Sequence, residues 1–137
     1  MEPIIEQNGH RSVLHVLVVE DNVDCAESTA SLLRMYGHEV EVSKDGQSAL
    51  AVVEDHPPDV VLLDLGLPGK LNGWDVARQL KRTTREKQPL IIAVTGFGTS
   101  DARRYSIEAG IDLHLTKPVD PQLLERLLSR FRGILCE

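Results

Sequence analysis

Five short runs in which apolar residues fall on successive positions constrain this chain more than any other feature. They are His15-Val16-Leu17-Val18-Val19, the weaker Glu39–Val42, Val60-Val61-Leu62-Leu63, Leu90-Ile91-Ile92-Ala93-Val94 and Leu113-His114-Leu115. An alternating run would leave one sheet face in water. A continuous run fits a strand covered on both faces, as in a parallel sheet. Between the runs lie stretches with helical spacing. Ala26, Ala30 and Leu33 share one face, with Gly37 placed to end that helix. Ala49, Val52 and Val53 do the same before Pro57-Pro58; Trp74, Ala77 and Leu80 form a third stripe; Ala102, Tyr105 and Ala109 form a fourth, ended by Gly110. In the last stretch Asp120 is placed to cap, Pro121 to open the first turn, and Leu124, Leu127, Leu128 and Phe131 to make one face. Strand then helix, five times, with right-handed crossovers, predicts an α/β fold: a parallel sheet with helices on both sides.

A chain of 137 residues is one domain's worth of sequence. Residues 1–12 are polar and unpatterned and read as a loose arm, 13–133 as the folded domain and 134–137 as a tail. Apolar residues make up 42% and charged residues 26%, which argues against general disorder. The net charge of −6 gives no footprint for gripping a phosphate backbone, so direct nucleic-acid binding is not expected. No run is long enough to insert in a membrane, and the amino end lacks the pattern of a signal peptide, so a cytoplasmic location is expected. Cys25 and Cys136 make no disulfide framework. His10, His15, His38 and His56 show no metal-ligand spacing.

Ligands of open α/β sheets bind outside the carboxyl ends of the strands. Glu20 and Asp21 follow the first run, Asp64 ends the third, Thr95-Gly96 the fourth, and Lys117-Pro118 follow the fifth. Each residue taken singly has an ordinary reading, as a helix cap, a turn or a surface lysine. Together they put three acids, a hydroxyl and an ammonium on one rim. Two like charges about 4 Å apart repel by roughly 4 kcal/mol at an effective dielectric near 20. Lys117 can neutralise one charge. A hard divalent ion with oxygen ligands would satisfy the rest, and Mg²⁺ is a metal that pairs a few carboxylates with a phosphate oxygen. The constellation therefore points to a Mg²⁺ (or Mn²⁺) site that handles phosphate.

Four segments, Val18-Val19-Glu20-Asp21-Asn22, Leu62-Leu63-Asp64-Leu65-Gly66-Leu67-Pro68-Gly69, Ala93-Val94-Thr95-Gly96 and Leu115-Thr116-Lys117-Pro118, strongly resemble the receiver domain of two-component response regulators. The resemblance covers about residues 14–131. It implies a three-layer, doubly wound, flavodoxin-like (βα)5 sandwich of sheet order 2-1-3-4-5. It implies that Asp64 accepts a phosphoryl group from a histidine kinase or a histidine phosphotransfer protein. Asp21, Asp64 and the backbone carbonyl of Gly66 would hold Mg²⁺, with Glu20 acting through water. Thr95 and Gly96 would meet the phosphoryl group, Lys117 would pair with it, and the bond before Pro118 would be cis.

Three positions depart from the family's usual pattern. His114 stands where an aromatic commonly moves inward on activation, so a titratable switch residue is expected there, beside its plainer reading as a half-buried edge-strand histidine. The loop Pro68-Gly69-Lys70-Leu71-Asn72-Gly73 has one residue more than is often found, and Glu20 replaces the more usual aspartate. Gly96-Phe97-Gly98-Thr99-Ser100-Asp101 begins like a dinucleotide fingerprint but has Asp101 at the third glycine position and follows the wrong strand, so it reads as a flexible loop. Trp74 reads as core, and Arg126, Arg130 and Arg132 as a wet face. Arg103 and Arg104 fall in the fourth helix, on a face the family often uses for partners, beside their plainer reading as solvated surface arginines; the helix 4–strand 5–helix 5 surface is where the resemblance places output contacts. An aspartyl-phosphate phosphatase of the haloacid dehalogenase type is the rival from the enzyme class. Asp64-Leu65-Gly66 lacks the second acid of its motif. A phosphorylation-independent interaction module is the other rival.

Overall fold

The computed structural model describes residues 13–82, 88–96 and 100–135. The arm at 1–12, the residues after Gly96 in the fourth turn and Cys136 lie outside them. Ten elements alternate: β1 (His15–Val19), α1 (Val23–Met35), β2 (Glu39–Ser43), α2 (Gly46–Asp55), β3 (Val60–Asp64), α3 (Gly73–Arg82), β4 (Leu90–Thr95), α4 (Ser100–Glu108), β5 (Leu113–Thr116) and α5 (Pro121–Leu135). All pairings are parallel and the order is β2-β1-β3-β4-β5. Every residue of the central β3 is buried. The edge strand β2 instead leaves Glu39 and Glu41 exposed and turns Val40 and Val42 half inward, which is why its sequence signal is weak.

Successive strand residues point to opposite faces. Val16 and Val18 meet Leu33 of α1 and Leu124 and Leu128 of α5. Leu17 and Val19 meet Ala49 and Val53 of α2 and Val76, Ala77 and Leu80 of α3. One sheet thus carries two cores, at roughly 1.5–3 kcal/mol per fully buried aliphatic side chain.

The helix ends follow local chemistry. The carboxylate of Asp45 accepts the Ser48 N–H at 2.8 Å, and that of Asp120 accepts the Gln122 N–H at 2.9 Å. Gly37, at φ +92°, ends α1, with His38 N–H donating to Leu33 O at 3.1 Å and Gly37 N–H to Arg34 O at 3.0 Å. The longer loop before α3 is closed by a reciprocal pair: Asp75 N–H donates to Asn72 Oδ1 at 2.9 Å and Asn72 N–H to Asp75 Oδ2 at 3.1 Å.

The fourth stripe needs correction. Tyr105 is half exposed, and the buried residues on this side are Ser106 and Ala109. The indole Nε1 of Trp74 donates to Ser106 Oγ at 3.1 Å, and the Tyr105 ring stands edge-on to the indole with centroids 5.7 Å apart. A buried hydroxyl with a donor takes the inward place that apolar spacing gave to the tyrosine, whose ring needs only one packed edge.

Candidate functional site

Every strand points its carboxyl end at the same rim, so the turns deliver side chains from distant parts of the chain to one place. The rim is fixed by backbone hydrogen bonds. Glu20 N–H donates to Ser43 O at 2.9 Å, Leu65 N–H to Val94 O at 3.2 Å, and Lys117 N–H to Thr95 O at 2.6 Å. The Lys117–Pro118 peptide bond is cis.

One carboxylate oxygen each from Glu20, Asp21 and Asp64 can be chosen so that all lie within 4.8 Å of one another. Among the described residues no other group of His, Cys, Asp and Glu meets that condition. Lys117 Nζ stands 3.1 Å from Glu20 Oε1 and 3.6 Å from Asp64 Oδ2. The Gly66 N–H donates to Asp64 Oδ1 at 3.0 Å, so the other oxygen of Asp64 is the one turned toward Lys117. A Cβ at position 66 would lie 3.7 Å from Asp64 Oδ1; glycine leaves that side of the carboxylate open. Thr95 is buried at the end of β4, and Gly96 beyond it is exposed. A cleft of about 690 Å³ opens from the rim between α1 and α5, with Thr29, Leu32 and Leu124 among its walls and Asp64 and Lys117 at its polar end.

Two contributors escaped the sequence reading. Asn22 caps α1 by accepting the Cys25 N–H at 2.9 Å, and its own N–H donates to Glu20 Oε2 at 3.2 Å. An Asn directly after the acid pair and before a helix was the available signal. Cys25, in the first turn of α1, faces the same acids: burial and then the charge of Glu20 push its thiol pKa up.

The electrostatics fit a divalent cation. Burial raises the Asp64 carboxyl above its ordinary value; the Gly66 N–H opposes this, and Glu20 adds to the rise. Burial pulls Lys117 down, but its hydrogen bond to Glu20 and the charge of Asp64 hold it above its ordinary value. One ammonium therefore faces three clustered acids, and the donors are all hard carboxylate oxygens of the kind Mg²⁺ takes.

His114 sits on the β5 edge strand, paired in register with Ala93. Both its ring nitrogens are buried without a hydrogen-bond partner among the described residues. Burial, then the charge of Arg103, lowers its pKa. Folded protein then resists a proton that the unfolded chain accepts, so stability falls as pH drops below the ordinary imidazole value near 6.5. His114→Phe removes both unpartnered nitrogens and is expected to stabilise the domain by about 1 kcal/mol at pH 7. Urea unfolding at pH 5 to 7.5 should show a shallower acid-side loss in the variant; parallel curves would reject this account.

Arg103, Arg126 and Arg130 are exposed, Arg132 is half-buried and so departs from the expected wet face, and Trp74 belongs to the α3–α4 contact. No helix among the described residues is long and apolar enough to cross a membrane.

The family model described as "Response regulator receiver domain" matches residues 16–129. The chain is 36% identical over 120 residues to the phosphate regulon transcriptional regulatory protein PhoB of Pseudomonas aeruginosa, covering 88% of this chain and 51% of PhoB. It is 41% identical over 120 residues to the sensory transduction protein RegX3 of Mycolicibacterium smegmatis, covering 88% of this chain and 50% of RegX3. The chain thus spans about half the length of these relatives. Among solved structures, a CheY-like receiver domain protein of Methanospirillum hungatei superposes with a TM-score of 0.80 at 25% identity, over 89% of this chain and 95% of that one. The receiver domain of Ssk1 from Saccharomyces cerevisiae, crystallised with the histidine phosphotransfer signaling protein Ypd1, gives 0.81 at 26% identity over 90% and 92%. The family match enters at β1 and runs into α5, and the sheet has the 2-1-3-4-5 order of the CheY-like fold; the chain belongs to the response regulator receiver domain family of two-component signalling.

Proposed function

We propose that this domain is a phospho-accepting switch whose acceptor is Asp64. The observation that supports the reading most is the pairing of a buried, one-side-tethered carboxylate with an ammonium 3.6 Å from its other oxygen, beside two further acids. Oδ2 of Asp64 attacks phosphorus as the P–N bond of a phosphohistidine donor breaks, and the departing imidazole nitrogen takes a proton from solvent. The ammonium of Lys117 and the hydroxyl of Thr95 meet the phosphoryl oxygens, with Gly96 leaving room beside them. Asp21, Asp64 and the Gly66 carbonyl would hold Mg²⁺ (or Mn²⁺), with Glu20 reaching it through water. When bound, the ion supplies positive charge to the phosphoryl oxygens in a loose transition state. Hydrolysis of the acyl phosphate at Asp64 resets the domain, and no other turnover is proposed.

The acyl phosphate carries a charge of about −1.5 to −2 where the carboxylate carried −1, and it projects that charge further out over the rim. Thr95 and Gly96 move toward that charge, and the His114 ring follows. The α4–β5–α5 surface, with Arg103 and Arg104 on it, then changes for a downstream protein. The donor is a histidine kinase or a histidine phosphotransfer protein. The receiver unit runs over 13–133 and works in the cytoplasm, and the chain's net charge of −6 sets it against direct nucleic-acid binding.

Incubation with MgCl₂ and phosphoramidate or acetyl phosphate, read by intact mass, is expected to add one phosphoryl group per chain, and EDTA to prevent it. No adduct under any condition would favour the phosphorylation-independent interaction module.

A further inference from the structure

Among the described side chains of α4, residues 103–108, Ser106 is the only buried one. It is 2% exposed, whereas Tyr105 and Ile107 are 51% and 75% exposed. A surface helix usually turns an apolar stripe to the core. This one turns a hydroxyl, which burial tolerates because the Trp74 indole N–H donates to it at 3.1 Å. The Tyr105 ring leans edge-on against the same indole. The buried Ala109 and Ile111 fix the chain just beyond the helix.

Trp74 is built into the support of Asp64. It is the second residue of α3, directly after Gly73, whose N–H donates to Leu65 O at the end of β3. It packs against the core cluster that includes Leu63 and Leu65. The indole therefore moves with the end of β3. Ser106 moves with α4, which follows Thr95 and Gly96 in the chain. One hydrogen bond thus joins the helix after Asp64 to the helix after Thr95. An element with little buried apolar surface shifts at low cost. A hydrogen bond, which needs both distance and direction, is then either made or lost.

We propose that Trp74 and Ser106 are positioning residues whose hydrogen bond seats α4 at rest and breaks when Asp64 is phosphorylated. Movement of Thr95 and Gly96 toward the phosphoryl group draws α4 away from an indole that stays with β3. The seated form then opposes phosphorylation, because only the released fraction accepts the phosphoryl group readily. This rests on the reading of Asp64 as the acceptor.

Trp74 is the only tryptophan of the chain, so its fluorescence reports the bond. With MgCl₂ and phosphoramidate, the emission of the parent should shift at the rate at which the adduct appears by intact mass. Ser106→Ala keeps a small side chain and removes the acceptor. It is expected to show the shifted emission before phosphorylation, to change clearly less on phosphorylation, and to label about threefold faster, the scale of one hydrogen bond. A purely structural bond would lower stability and leave the labelling rate alone. Trp74→Phe keeps an aromatic ring and loses the donor; it should label as fast as Ser106→Ala, and the double variant no faster than either. Labelling at the parent's rate in both single variants, or gains that multiply in the double variant, overturns the proposal. An adduct that forms in the parent with unmoved emission also overturns it and leaves Asp64 as the acceptor. No adduct in the parent overturns the acceptor reading and the proposal with it.

Discussion

Asp64→Asn is expected to take up no phosphoryl group under conditions that modify the parent fully, and to unfold at a higher urea concentration than the parent in EDTA at pH 7. The first effect follows from chemistry. An amide oxygen lacks the charge that makes Oδ2 a nucleophile, although it can still accept the Gly66 N–H that now binds Oδ1 at 3.0 Å. The second follows from charge. Asp64 is 9% exposed and ends a fully buried strand, and burial followed by the influence of Glu20 raises its pKa against the opposing Gly66 N–H. A carboxyl whose folded pKa is raised keeps its proton longer than the unfolded chain does. The resulting penalty is absent below the unfolded value near 3.8, grows as pH rises, and is complete above the folded value. Removing the charge removes that penalty at pH 7, while Lys117 keeps its nearer partner, Glu20. The variant should also gain less stability from MgCl₂ than the parent, because one ligand is gone. Intact mass and urea titrations with and without Mg²⁺ check all three. A phosphorylated Asp64→Asn chain would move the acceptor elsewhere, and a less stable one would show that Asp64 is not strained by its surroundings.

The fold was legible where burial is symmetric. β1, β3 and β4 lie inside the sheet, so their residues must be apolar on both faces, and a continuous run has few other uses. The edge strand β2 follows a different rule. Its Glu39-Val40-Glu41-Val42 alternation meets water on one side, and the same letters also suit a helix or loop. On α4, spacing alone gave the inward position to Tyr105, because a side-chain hydroxyl such as that of Ser106 does not look like core until its donor, the Trp74 indole, is known. On α3 the stripe beginning at Trp74 passed over the fully buried Val76 for the reverse reason, since two neighbouring apolar residues straddle the helix's inner face.

The site was legible as a list of residues at strand ends, because topology carries those ends to one edge. Its internal pairing was not. Glu20 and Lys117 are 97 positions apart, and nothing in either segment says which of the three acids the ammonium meets. That choice depends on side-chain length and on the Asn22 N–H that holds the second oxygen of Glu20. The unpartnered nitrogens of His114 were equally hidden, because hydrogen-bond satisfaction belongs to the packed interior and leaves no mark in the sequence.

Gly73→Ala is expected to destabilise the domain by about 2 kcal/mol and to slow phosphorylation of Asp64, although it replaces a glycine with the best helix former. Gly73 opens α3, and its N–H donates to Leu65 O at 3.3 Å, so the helix starts pressed against the end of β3. A Cβ there would stand 2.6 Å from Leu65 Cα, 2.7 Å from Asp64 O and 2.8 Å from Leu65 Cδ2. Two of these three atoms are backbone and cannot rotate away. The helix must retreat, drawing Val76, Ala77 and Leu80 from the core, or the peptide of Asp64 must shift and carry the acceptor with it. Overpacking of this kind costs about 3 kcal/mol at the upper end of its usual range. The gain in helix propensity returns at most about 1 kcal/mol. Gly66→Ala separates crowding from loss of glycine. It lies in the loop that leads from β3 to α3, but its Cβ would meet only Asp64 Oδ1 at 3.7 Å, an ordinary contact, and its stability should stay within about 0.5 kcal/mol of the parent. Urea unfolding of both variants, with phosphoramidate labelling rates, gives the comparison. If Gly73→Ala matched the parent in both, the close seating of α3 on β3 would not be what holds Asp64 in place.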